Sequence, residues 1–271
     1  DTIIHLMDSL PKDLTKTFKL SVNKSKRLSS SSNHTATHLL HQALRSVLGD
    51  HVQQKGSMVS DKYLRFDFSH FSKLSEIDLE NVENFVNKKI IDHLELEENR
   101  NSSFQDCIDD GVIALFGEKY GDVVRSIKFG ESHELCGGTH VKNTSEIRSF
   151  IIKSESAIST GIRRIEAISG DKAVDYLMKQ AKTLKEVSKI VLNDKDPISA
   201  LNKLKNQNLS SNKKLEKINN ELLTYYLKDL NQNIEIIKDL NFCALELSCE
   251  PNVLKNLAFR AAKDLDNLFL V

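Results

Sequence analysis

The chain contains two short motifs that together offer four ligands for a metal ion. His34 and His38 are four residues apart, so on a helix both imidazoles project from one face. Much further along the chain, two glycines lie between Cys136 and His140, a composition that suits a tight loop. Three imidazoles and one thiolate form a set that zinc binds in tetrahedral geometry. The sequence therefore predicts a zinc site that joins a helix to a distant loop.

Each motif has a simpler interpretation when it is taken alone. A histidine pair at this spacing is usually two partly buried or surface imidazoles, and a single cysteine is more often a small buried hydrophobic residue. The presence of both motifs in one chain favours metal binding. Only Thr35, Ala36 and Thr37 lie between the histidines, so the glutamate of a zinc protease His-Glu-x-x-His helix is missing and peptide hydrolysis by that mechanism is disfavoured.

Five sequence blocks extend the two motifs along the chain. The first reads Asn-His-Thr-Ala-Thr-His-Leu-Leu-His at 33–41, and the fourth reads Glu-Leu-Cys-Gly-Gly-Thr-His-Val at 134–141. In this order they resemble the editing domain of alanyl-tRNA synthetases, over residues 22–171 and more weakly beyond. The other three blocks lie at 54–71, 114–121 and 161–167.

The resemblance implies a hydrolase. Editing domains of this family cleave the ester that joins serine or glycine to the 3′ end of mischarged alanine tRNA. The implied cofactor is Zn²⁺ and the implied substrate is tRNA(Ala), with Cys136 as both a ligand and a candidate catalytic residue. Four protein ligands leave no position for water, so the metal is expected to be structural or to position the substrate. No motif resembles the ATP-binding motifs of the family's aminoacylation domain, so ATP binding is expected only of a full-length ligase.

The resemblance also assigns candidate roles to three further residues. Thr37 matches the position whose hydroxyl senses the serine side chain, although ordinary helix packing explains it equally well. Gln54 matches a position linked to editing, and its alternative is a solvated strand residue. Arg163 can contact the site or the tRNA backbone, because a guanidinium binds phosphate and carboxyl oxygens in pairs. A surface salt bridge to Glu166 or Asp67 is the competing interpretation of Arg163.

Composition restricts the remaining function classes. Lys plus Arg and Asp plus Glu both number 38, so any RNA binding has to come from local patches. The four cysteines have no disulfide-framework spacing, which favours a reducing, cytoplasmic setting. No apolar run of membrane-spanning length and no export signal are present, and nothing predicts DNA as a partner. The first residue is not methionine, which fits a fragment of a longer protein.

The elements that position these residues are predicted to form an α+β fold, with helices packed on an antiparallel sheet. Apolar residues at three- and four-residue steps predict helices at 22–48 and 75–95. Alternation of apolar and charged residues predicts a strand at 64–68. Runs rich in β-branched residues predict further strands at 123–129, 147–153 and 162–168.

Four segments are predicted along the chain. Residues 1–21 are the tail of a preceding domain, and residues 22–171 are the editing domain. Residues 172–240 carry a loose heptad seam typical of a helical hairpin or coiled coil, through which a homodimer is possible. Residues 241–271 resemble the truncated start of a C-terminal α/β domain.

Three alternatives stay open at this stage. Threonyl-tRNA synthetases carry a related domain, although the sequence Leu-Cys-Gly-Gly-Thr-His at 135–140 favours the alanyl family. A freestanding deacylase resembles residues 22–171 but would not need the helical region. A non-catalytic tRNA-binding or dimerisation module with a structural zinc would use that region and its lysines, which a solvated helix face explains more often than an RNA track does.

Overall fold

A computed structural model of the protein describes residues 6–10, 12–13, 15–114, 119–192 and 195–271. The chain divides into two compact units, Asp1–Ala181 and Lys182–Val271. Residues 115–118 of the sequence block at 114–121, and parts of the predicted tail at 1–21, lie outside the described residues. The division into four segments stays a prediction.

The described residues form helices and strands in both units. The helices are α1 (Lys24–Leu48), α2 (Glu76–Ile91), α3 (Phe104–Asp109), α4 (Gly170–Ile190), α5 (Pro197–Gln232) and α6 (Pro251–Asp264), with a 3-10 helix at Thr144–Ile147. The strands are β1 (Gln54–Val59), β2 (Leu64–Ser69), β3 (Glu97–Ser103), β4 (Val123–Phe129), β5 (Ser132–Leu135), β6 (Phe150–Ser159), β7 (Ile162–Ser169), β8 (Glu235–Ile237), β9 (Leu240–Cys243) and β10 (Leu268–Leu270).

The predicted helix with the histidine pair is confirmed as α1. The side chain of Asn23 accepts a hydrogen bond from the Lys26 amide and caps the first turn. The helix ends at Gly49, whose φ of 113° suits a residue without a Cβ and whose N–H donates to Arg45. One face of α1 carries Leu39, Leu40 and Leu44, which are fully buried against the sheet. This packing fixes the rotation of the helix, and with it the direction of both histidines.

A four-stranded antiparallel sheet in the order β1-β2-β7-β6 forms the base of the first unit. The alternation predicted for β2 is confirmed, since Leu64, Phe66 and Phe68 are fully buried while Arg65 and Asp67 are half-buried. Together α1 and α2 contribute to the same apolar core as β2. The predicted α+β fold with helices on an antiparallel sheet is therefore confirmed.

A second antiparallel sheet, β3-β4-β5, leads into the loop at Cys136. The sequence analysis did not predict β3, because its polar residues Glu97–Ser103 lack apolar alternation and are held by pairing with β4. The predicted strand at 147–153 starts later, at Phe150. Asn143 and Glu146 form a capping box that turns Thr144–Ile147 into a 3-10 helix instead.

The second unit contains α5, which starts at Pro197 after a cap by Asp196, as proline at a first helical position favours. Its inner face buries Leu223 and Leu230, and Leu230 packs with Cys243 and Ala261 in a small core. Strands β8, β9 and β10 form a mixed sheet in which β9 and β10 are parallel. None of the helices in the described ranges has the length and apolar character needed to cross a bilayer.

Candidate metal centre

The structure brings the four predicted ligands into one cluster. The candidate ligand atoms of His34, His38, Cys136 and His140 all lie within 4.8 Å of one another. The sulfur of Cys136 is 3.5 Å from Nε2 of His34 and 3.4 Å from Nε2 of His140. Helix α1 supplies two of these side chains, and the loop after β5 supplies the other two. Such a cluster could hold a metal ion.

Arg125 on β4 fastens the loop that carries Cys136. Its Nη1 donates to the carbonyl oxygens of Cys136, at 2.9 Å, and of Gly138, at 2.5 Å. Its Nε donates to Glu98 at 2.6 Å, which keeps the guanidinium in place. This role of Arg125 was not predictable from the sequence, because a single arginine inside a strand gives no sign of the loop that it will contact.

The glycine pair of the loop has two different roles. A Cβ on Gly138 would lie 2.1 Å from Cε1 of His34, a separation that side chains do not tolerate, whereas a Cβ on Gly137 would meet no atom within 4 Å. The amide of Gly138 donates to the sulfur of Cys136 at 3.4 Å. This N–H therefore faces the thiol rather than a substrate, and Gly138 allows His34 to approach the loop.

Thr35 holds His140 from the side opposite the cysteine. Its hydroxyl oxygen lies 3.1 Å from Nδ1 of His140 and accepts the amide of Val141 at 3.2 Å. Since Nε2 of His140 faces Cys136, the Nδ1 atom is free to donate to Thr35, which fixes the ring orientation. The position between two candidate ligands on α1 was the only signal in the sequence for this role.

The environment keeps the imidazoles neutral. Burial, reinforced by the nearby His38, lowers the pKa of His34 to about 4. Burial also lowers the pKa of His38 and, together with the charges of His38 and His34, the pKa of His140. A neutral imidazole has a lone pair for a metal, so these shifts suit ligands at neutral pH.

The other predicted site residues contribute no atom to the cluster. Thr37 is buried on α1 and its hydroxyl donates to the carbonyl oxygen of Asn33 at 2.8 Å. Gln54 begins β1 and lines a cavity of about 350 Å³ together with His41 and Arg45.

Arg163 on β7 has a partner that the sequence analysis did not name. It forms an ion pair with Glu155 on β6, and its side chain is 12% exposed. The expected pairing with Asp67 belongs to the next residue, Arg164, which donates two hydrogen bonds of 2.7 Å to that carboxylate. The register of β7 against β2 and β6 decides which arginine reaches which acid.

A cleft of about 690 Å³ opens beside the cluster and is called here the basic cleft. His140 and the loop 137–139 form part of its wall. Among the described residues that line it, Glu98 is the only acid. Its four cationic side chains are Arg27, Arg100, Arg125 and Lys142.

Comparison with known proteins identifies the family. Residues 124–166 match the family described as the threonyl and alanyl tRNA synthetase second additional domain. The chain is 49% identical to the alanine-tRNA ligase of Christiangramia forsetii over 269 residues, which is 99% of this chain. The chain belongs to the alanine-tRNA ligase family. Alanine-tRNA ligases of Flavobacterium psychrophilum and Pseudothermotoga lettingae are each 43% identical, over 99% and 94% of this chain.

The chain spans about 31% of the length of the Christiangramia ligase and 30% of the other two. The matched segment 124–166 contains Cys136 and His140 but not His34 or His38, which lie on α1. In this member of the alanine-tRNA ligase family, the cluster is thus assembled from the matched segment and from a helix outside it. The resemblance noted from the five sequence blocks is confirmed at the level of the family.

Proposed function

We propose that residues 22–171 hydrolyse the ester of seryl- or glycyl-tRNA(Ala), as the editing part of an alanine-tRNA ligase in the cytoplasm. The observation that carries the proposal is the four-ligand cluster at the wall of the basic cleft in a chain of this family. A charged macromolecule with a reactive ester end matches both features. The cations bind phosphates, and the cluster lies where the ester would be placed.

The donor set of the cluster fits zinc. Tetrahedral zinc, with bonds of about 2.3 Å to sulfur and about 2.05 Å to nitrogen, separates its ligand atoms by about 3.3–3.6 Å. The distances from Cys136 Sγ to His34 Nε2 and His140 Nε2, 3.5 and 3.4 Å, match this spacing. When bound, the ion would supply positive charge next to the ester and join α1 to the loop. Because His34, His38, Cys136 and His140 would fill all four positions, the ion would serve to position groups rather than to activate water.

The chain's own residues bind and orient the substrate. Arg27, Arg100 and Lys142 place cations along the basic cleft, where they attract the phosphates of the single-stranded tRNA end. Thr37 keeps oxygen lone pairs after its hydrogen bond to Asn33, so its hydroxyl can accept a hydrogen bond from a seryl side chain. Hydrogen bonding has to assist recognition, because serine is larger and glycine smaller than the cognate alanine. Gln54 and Arg163 are proposed to assist in orienting the ester and the tRNA end.

A second candidate function is a non-catalytic tRNA-binding and dimerisation module whose zinc is structural. It is favoured by α5, on which apolar residues at heptad spacing are exposed, as expected of a seam between two copies. In this case the chain binds tRNA and associates without hydrolysing the ester. The exposed seam residues are Leu201, Leu204, Leu215, Ile218 and Tyr225.

Deacylation of seryl-, glycyl- and alanyl-tRNA(Ala) by the chain distinguishes the two functions. We expect rapid loss of serine and glycine, sparing of alanine, and no hydrolysis by a Cys136→Ala variant that still binds tRNA. A folded, zinc-loaded wild-type chain that binds tRNA without hydrolysing either ester would contradict the editing function and support the binding module.

The role of the basic cleft is tested separately from catalysis. We expect Arg27→Gln and Arg100→Gln each to weaken tRNA binding and to reduce the slope of log affinity against log salt by about 1 per lost phosphate contact. Lys62→Gln removes a cation from the β1–β2 turn, outside the residues that line the cleft, and is the matched control. Equal effects of all three variants would contradict binding in the cleft.

A further inference from the structure

A buried carboxylate lies beside the cluster of candidate ligands, next to His38. Glu134 is 3% exposed and lies at the end of β5, two residues before Cys136. Its Oε2 is 3.6 Å from Nε2 of His38, and its Oε1 is 2.9 Å from Nδ1 of His41. Both histidines are buried, at 5% and 2% exposure. The three side chains therefore form a buried row of contacts that starts at the cluster.

The carboxylate determines which nitrogen atoms carry protons. An ionised carboxylate only accepts hydrogen bonds, so Nδ1 of His41 must donate to Glu134. Nε2 of His38 faces the other carboxylate oxygen at 3.6 Å, which is beyond hydrogen-bond length, and the negative charge favours the tautomer with the proton on that nitrogen. This leaves Nδ1 of His38 with its lone pair, and that atom is buried with no hydrogen-bond partner among the described residues. A bound metal would satisfy it.

The charge of a bound zinc ion and its ligands also favours a carboxylate at this position. A buried charge is costly unless it is paired, and Glu134 is buried although three of the four candidate ligands are half-buried. A dication with one thiolate and three neutral imidazoles carries a net charge of +1. The carboxylate of Glu134 cancels this charge, and His41 anchors the carboxylate by its shorter contact.

We propose that Glu134 is the positioning residue of the metal centre. It orients His38 through the nitrogen that does not bind the metal, and it supplies a buried negative charge beside the cluster. His41 acts through Glu134 by holding its carboxylate. The proposal rests on the zinc site of the proposed function but not on ester hydrolysis.

The test is zinc affinity, measured by competition with a chelator at constant pH for the whole chain. We expect Glu134→Gln to weaken zinc binding by about 10- to 100-fold, because the amide keeps the size but not the charge or the two accepting oxygens. Cobalt substitution gives an independent reading. The thiolate-to-cobalt absorption band should persist while the ligand-field bands change, since His38 shifts and Cys136 does not.

Three further variants separate positioning from general effects. Glu131→Gln removes the same charge three residues away at an exposed side chain, and zinc affinity should stay at the wild-type value. Glu134→Asp keeps the charge and should bind zinc more tightly than Glu134→Gln. His41→Phe should weaken binding, and combining it with Glu134→Gln should cause no further loss.

Two results would overturn the proposal. One is a folded Glu134→Gln variant, verified by circular dichroism without metal, that binds zinc within twofold of wild type. The other is a zinc affinity of the His41→Phe variant equal to that of wild type. This second measurement tests the proposal by itself if Glu134→Gln does not fold. A wild-type chain that binds no zinc refutes the site and this proposal together, whereas zinc binding without hydrolysis refutes only the editing function.

Discussion

Gly138 occupies a position where a methyl group would collide with a candidate ligand. Gly138→Ala places a Cβ 2.1 Å from the His34 ring, so either the ring or the loop must move. We expect zinc affinity to fall by about 10-fold or more, as for other changes that misplace a ligand. Gly137→Ala, which adds its methyl group in open space, is the matched control. Equal zinc affinities of the two variants by chelator competition would contradict this account.

Arg125 offers a second test at the scale of single residues. Both Arg125 and Arg100 donate to Glu98 at 2.6 Å, but only Arg125 also donates to the loop carbonyls of Cys136 and Gly138. Arg125→Lys should lower the free energy of unfolding by about 1–3 kcal/mol, because an ammonium cannot reproduce the forked contacts.

Urea denaturation of the metal-free chain measures the effect of Arg125→Lys. Arg100→Lys is the control, and it should change stability by less than about 0.5 kcal/mol, since its side chain is mostly exposed. A similar loss of stability in both variants would show that the contact to Glu98, rather than the loop, accounts for the change.

At the scale of secondary-structure elements, Asn33 links α1 to the sheet by hydrogen bonds. Its amide nitrogen donates to the Ser60 carbonyl at 2.8 Å, and its amide oxygen accepts the Ser169 hydroxyl at 2.7 Å. These contacts fix α1 along the end of β7 and beside the β1–β2 turn, next to the turn of helix that carries His34. The hydrogen bonds thus add a polar constraint to the apolar packing of α1.

We expect Asn33→Ala to lower the free energy of unfolding by about 2–4 kcal/mol, because the buried Ser169 hydroxyl and the carbonyl of the half-buried Ser60 lose their partner. Ser169→Ala removes one of the two bonds and should have about half the effect. Denaturant titration of both single variants and the double variant gives the coupling. Additive losses would contradict a shared hydrogen-bond network.

At the scale of the whole molecule, the exposed apolar seam of α5 could join two copies of the chain. If two copies associate through it, Ile218→Lys introduces a charge into the apolar interface and should shift a dimer to a monomer at micromolar concentration. Asn220→Lys adds the same charge on the other side of the heptad and should leave association intact. Analytical ultracentrifugation distinguishes the two outcomes. A wild-type chain that is monomeric throughout would refute the proposed dimer.

Several features of the fold were readable from the sequence because they depend on local order. The helix at α1 and the alternation in β2 follow from apolar periodicity, which acts over a few residues. The polar strand β3 was missed, because its pairing with β4 is a tertiary contact.

The sequence by itself determined the ligand types, the spacing of each ligand pair and the family. Only the tertiary structure decided that the two pairs meet, that Arg125 and Thr35 hold them, and that Glu134 lies behind His38. For Arg163 the sequence suggested Glu166 or Asp67 as an ion-pair partner. Strand register instead pairs Arg163 with Glu155 and gives Asp67 to Arg164. The physical reason is that ligand chemistry belongs to single side chains, whereas distance between residues a hundred positions apart is set by how helix and sheets pack.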